Sequence, residues 1–147
     1  MTELPADLHE QIKRHCADGD GLADRGLHEQ AIATYNEAWK LVPEPQTEWE
    51  ASTWVLAAIG DAAFLGGFYS SGVEALQFAL HCPGGAMNPF VQLRLGQCEL
   101  ERDNLDKAAE HLARAYMFEG KEIFSRESPK YFEFLKTRLN PPASGQW

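Results

Sequence analysis

Residues 60–79 read GDAAFLGGFYSSGVEALQFA, and the placing of small residues in this stretch recurs twice elsewhere in the chain. Gly60 is followed after seven residues by a turn residue, Gly67, and then by Gly72, Leu76 and Ala79 at steps of five, four and three. Residues 19–38 (GDGLADRGLHEQAIATYNEA) repeat the pattern as Gly19, Gly26, Ala31, Tyr35 and Ala38. Residues 96–115 (GQCELERDNLDKAAEHLARA) repeat it as Gly96, Asp103, Ala108, Leu112 and Ala115. Two antiparallel helices approach closely only where side chains are small, so each copy reads as a helix pair. Its small residues mark the crossings, and a large residue fills the space between them.

These spacings resemble the tetratricopeptide repeat, whose period is about 34 residues. The equivalent glycines here lie 41 and 36 residues apart, so the first joint carries about two extra helical turns and the second a small loop, CPGGAMNP. The match covers residues 10–120. The resemblance implies an all-α chain: a right-handed superhelix of three such helix pairs (about 10–43, 48–83 and 89–120) plus a C-terminal capping helix (about 129–138). Residues 1–140 are expected to form one domain.

Local signals place helices near 7–25, 28–42, 48–65, 70–82, 89–102, 105–118 and 129–138, with a short helical turn at 121–126. Thr47 and Glu50 have the spacing of a capping box, Asn88 precedes Pro89, and Ser128 precedes Pro129. The last segment, PKYFEFLKTRL, is apolar on one face and polar on the other, as a terminal cap requires. Residues 141–147 read as a loose tail from which Trp147 is free to dock.

A net charge of −9 argues against binding nucleic acid or an anionic membrane surface. The charge is concentrated at one end: residues 1–50 carry 11 acidic and 4 basic side chains, residues 101–147 carry 8 of each. This suits either simple solvation or attraction of a basic partner. With no leader-like apolar run, a cytoplasmic protein is expected. Cys16, Cys82 and Cys98 read as reduced, buried thiols. His9, His15, His28, His81 and His111 lack ligand spacing, and no phosphate loop or nucleophile motif is present, so no catalytic residue, metal or cofactor is expected. An enzyme would need a buried polar cluster, which the sequence does not isolate.

In a stack of helix pairs the first helices line the concave side. That register places Lys13, Cys16, Asp20 and Asp24 there, followed by Trp54, Ala57, Asp61 and Phe64, then Phe90, Leu93, Arg94, Gln97 and Glu101. The result is an aromatic floor rimmed by carboxylates, suited to an interface centre. Trp54 and Phe90 fit a core position equally well, Asp61 fits plain solvation, and Trp39 and Trp49 fit inter-helix packing better. Repeats of this family that grip the carboxylate of chaperone tails line their groove with Lys, Arg and Asn. Asp20, Asp61 and Gln97 stand at the comparable positions here, which favours a basic or mixed partner. On the second helices, Tyr35, Trp39, Phe78 and Tyr116 offer an apolar patch for a homodimer if exposed.

The segment Cys82–Lys136 resembles a group of small bacterial tetratricopeptide proteins with a proline–glycine joint, an NPF helix start and an EIF…SPKYFEFLK ending. Some of these are similar to immunity proteins encoded beside secreted polymorphic toxins. The resemblance implies a partner that is a basic toxin domain, neutralised by direct binding. The alternative is an adaptor or co-chaperone that binds an extended or basic peptide.

Overall fold

The computed structural model describes residues 3–147, and these form seven helices with no strand. They are α1 (Ala6–Asp24), α2 (His28–Leu41), α3 (Glu50–Gly66), α4 (Tyr69–Ala79), α5 (Pro89–Glu101), α6 (Leu105–Glu119) and α7 (Pro129–Lys136). The chain is therefore all-α; each expected helix is present, although α3 starts at Glu50 rather than 48, α4 ends at Ala79 rather than 82 and α7 ends at Lys136 rather than 138. Packing is closest within α1/α2, α3/α4 and α5/α6; α2 against α3 and α4 against α5 join the pairs into one row. No helix among the described residues is long and apolar enough to cross a membrane.

The repeat register has a direct physical cause. A Cβ added to Gly19, Gly60 or Gly96 would lie 2.4, 2.4 or 2.7 Å from Tyr35, Leu76 or Leu112, respectively, too close for any atom to fit unshifted. Each first helix thus crosses its partner at a glycine, beneath a large side chain 16 residues further on. The turn residues also share one conformation: Gly26 and Gly67 have φ of +77° and +83°, and Asp103 takes the same left-handed region at +62°. Ala31, Ala38, Ala79, Ala108 and Ala115 are fully buried. At Gly72 an added Cβ would meet the Cys98 sulfur at 2.8 Å, so this small residue lets α4 approach α5 of the following pair.

Two of the three expected caps differ from the sequence reading. Asn88 caps α5 as expected, its Oδ1 accepting from the amides of Phe90 at 2.9 Å and Val91 at 3.1 Å. The Thr47–Glu50 capping box does not form. Residues Gln46–Glu48 make a 3₁₀ turn instead, and α3 starts at Glu50 behind Trp49, which makes no side-chain cap. The turn is held from other positions: Ser52 donates to the Gln46 carbonyl, and the Trp49 indole donates to the Pro43 carbonyl at 2.9 Å. Ser128 also makes no side-chain cap bond, leaving Pro129, with its fixed φ, to start α7.

The core falls into two parts. The larger runs from α1 to α5 through Ile12, Tyr35, Val55, Leu76, Val91 and Leu95. The smaller joins α5 and α6 to a second 3₁₀ turn (Gly120–Phe124) and α7, through Leu93, Leu112, Phe124, Tyr131 and Leu135. The C-terminal segment is therefore built into the fold. Trp147 docks edge-on against Tyr116 and Phe132, so the tail returns to the surface of α6 and α7. Cys16, Cys82 and Cys98 are free and buried. Burial pushes the Cys16 thiol up to about 11, with the charge of Asp20 adding to it, and the Cys98 thiol up to about 12.

Candidate functional site

Five of the residues expected on the concave side converge on one point. Arg94 of α5 donates through Nε to Asp61 Oδ1 of α3 at 2.8 Å, and through Nη1 to Gln97 Oε1 at 2.8 Å. Its guanidinium carbon lies 4.8 Å from the centre of the Phe64 ring and 4.9 Å from that of Phe90, inside cation–π range of both. A sixth residue completes the cluster. Glu127, in the loop before α7, accepts from Arg94 Nη1 and from Gln97 Nε2, the latter at 2.8 Å.

This geometry alters the expected roles of Arg94 and Gln97. The Arg94 side chain is only 9% exposed and Gln97 is fully buried, so neither faces a partner. Their hydrogen bonds are spent within the chain, because Glu127 reaches them first. The cluster is also the buried polar group that the sequence did not isolate. Its chemistry is that of a fastening: a guanidinium with two carboxylates already accepting from it. Two carboxylates against one cation leave a surplus negative charge, and Asp61, 33% exposed, carries it to the surface.

Glu101 is likewise occupied. It accepts from the Tyr131 hydroxyl at 2.8 Å and pairs with Lys130. Partial burial alone would raise its carboxyl pKa, but the bonds from Lys130 and Tyr131 outweigh that and lower it. Burial and the Glu101 bond together raise the Tyr131 phenol. Tyr131 also sets its ring edge against Phe64, 5.9 Å between centroids. The segment around α7 thus covers the α3/α5 end of the expected groove.

The α1 end stays open. Lys13 is exposed and pairs loosely with Glu10, 3.6 Å away, on its own helix. Asp24 is exposed at the end of α1, and Asp20 accepts from the Tyr35 hydroxyl at 2.6 Å. The Tyr35 phenol is raised by burial, by that bond, and then by the charges of Asp20, Cys16 and Asp61. Trp54 is 37% exposed, its ring set perpendicular to His9 with centroids 6.1 Å apart. Together they border a cleft of about 560 Å³ at the start of α1 and α3, lined also by Trp49, Glu3 and Glu50.

Sequence reasoning missed Glu127, which lies 33 residues from Arg94 in a loop without periodicity, and the Tyr131–Glu101 bond. An inward-facing tyrosine in the capping helix was the available signal for the second. It also missed His111, whose Nδ1 meets Gln92 Oε1 at 2.7 Å in the α5/α6 interface; Gln92 in turn donates to the Ala86 carbonyl at 2.9 Å. Among the described residues no three His, Cys, Asp or Glu side chains gather closely enough to hold a metal ion. Comparison with family models and with curated proteins returns no match for this chain.

Proposed function

We propose that the chain is a right-handed superhelix of three tetratricopeptide-like pairs with a capping helix, and that it binds another protein through the open α1/α3 face. The observation that carries the binding role is the charge on that face. The register puts Asp20, Asp24, Asp61 and the exposed Trp54 on it with Lys13, whose charge is already paired with Glu10, while the other cation expected there, Arg94, is held inside. Such a surface favours a basic partner, by steering its approach and by excluding acidic ones. The glycine contact repeated at Gly19, Gly60 and Gly96 supports the repeat assignment.

Within that class, the best-supported role is a cytoplasmic immunity protein that neutralises a cognate secreted toxin by direct binding. The likeness of Cys82–Lys136 to such proteins supports it. The covered α3/α5 end adds a reason to prefer it to an adaptor for extended peptides: a shortened open face suits a folded basic domain better than a long strand of chain. The test is co-purification from the native cell, followed by calorimetry on the captured partner. One stoichiometric basic protein is expected. The double variant Asp20→Asn with Asp24→Lys, which keeps an acceptor for Tyr35, should weaken its binding by about 10-fold or more at low salt. Wild-type affinity in the double variant removes the α1/α3 face from the reading.

A further inference from the structure

Arg94 shows what this chain uses to hold a guanidinium: two aromatic faces, Phe64 and Phe90, and two carboxylates, Asp61 and Glu127. The cleft at the start of α1 and α3 assembles the same complement. Trp49 and Trp54 supply aromatic surface, Glu3 and Glu50 supply carboxylates, and no lysine or arginine is among its lining residues. One member also corresponds in register. Trp54 and Phe90 are 36 residues apart, the same offset as Gly60 and Gly96, so they occupy equivalent positions in successive pairs. By the same offset the counterpart of Arg94 is Ala58, too short to reach over Trp54 as Arg94 reaches over Phe90.

We propose that this cleft seats an arginine side chain from the bound protein, its guanidinium laid on Trp54 and paired with Glu50 and Glu3. Arginine fits better than lysine because a planar guanidinium both stacks on an indole and offers a fork of donors to a carboxylate. The site is preorganised: the Trp49 indole is held by the Pro43 carbonyl, and the Trp54 ring stands perpendicular to that of His9. The starts of α1 and α3 lie at the cleft and carry about half a positive charge each, which two full carboxylate charges exceed. The inference rests on the binding role proposed above and names the chemistry that the partner brings to this end of it.

The probe is an acetylated Gly-Arg-Gly amide, with Lys and norleucine counterparts, titrated into the intact chain while the indole N–H resonances are followed. The arginine peptide should shift Trp49 and Trp54 saturably, the lysine peptide more weakly and the norleucine peptide not at all. Glu50→Gln, at an exposed position, should weaken the arginine response by roughly 10-fold, as should Trp54→Leu. Equal lysine and arginine responses overturn the assignment, as do shifts confined to amides around Asp20 and Asp24, or full binding by Glu50→Gln. If the native partner binds while the arginine peptide leaves both indoles unmoved, the seat fails and the binding role stands. If the peptide saturates the cleft and no partner is captured, the binding role fails and the seat stands.

Discussion

Gly60 lies inside α3 and Gly21 in the last turn of α1, and opposite results follow from giving each a methyl group. At Gly60 the new carbon would sit 2.4 Å from Leu76, so Gly60→Ala should lower unfolding free energy by about 1–3 kcal/mol through overpacking. Gly21 has nothing within 4 Å, and Gly21→Ala should raise stability by up to about 1 kcal/mol by restricting the unfolded chain and favouring helix. Chemical denaturation of both variants checks the pair; equal effects would mean that the glycine crossings do not set the register. These crossings were legible because cause and effect lie 16 residues apart within one helix pair. The failed Thr47 cap was not, because the Ser52 and Trp49 bonds that hold the competing turn carry no spacing rule.

At the scale of helices, α5 is the most enclosed element: nine consecutive residues, Val91 to Cys98 and Glu99, are buried, four of them polar or charged. Each polar side chain there is tied to another element or to a turn, Gln92 to His111, Arg94 to Asp61 and Glu127, Gln97 to Glu127, and Glu99 to Arg102 and Asn104. Burial lowers the His111 pKa below its ordinary 6.5, since the imidazolium would be desolvated between α5 and α6; Glu110 and Arg114 act on it with opposite sign, as do Glu99 and Lys107. The unfolded chain therefore takes up this proton first. The contribution is fully present above about pH 6.5 and is lost as pH falls towards the lower folded value. Urea midpoints should drop between about pH 7.5 and 5.5, and His111→Gln should show a smaller drop; an unchanged slope in the variant would exclude His111 as the cause.

For the molecule as a whole, Arg94 is where α3, α5 and the approach to α7 meet. Arg94→Met keeps most of the volume and leaves Asp61 and Glu127 without their cation. A loss of about 3 kcal/mol is expected in denaturant unfolding, recovered in part by adding Glu127→Gln. A loss below about 1 kcal/mol would show that the cluster is incidental to stability. The sequence placed Asp61, Phe64, Phe90, Arg94 and Gln97 on one face because repeat equivalence predicts it. It could not foresee that the same face would be partly used up within the chain, since that depends on Glu127, brought in from 33 residues away.

The covering of α5 and α6 by α7 has an architectural consequence. Helix pairs of this kind stack on one another, so a row of them has no intrinsic last member. Here the surface that a fourth pair would need is already taken by Phe124, Tyr131 and Leu135 and fastened by Glu127 and Lys130. Inserting a copy of α1/α2 or α3/α4 after α6 would strand those fastenings far from Arg94 and Glu101. At that end the row is closed to lengthening, and its size is written into two ion pairs.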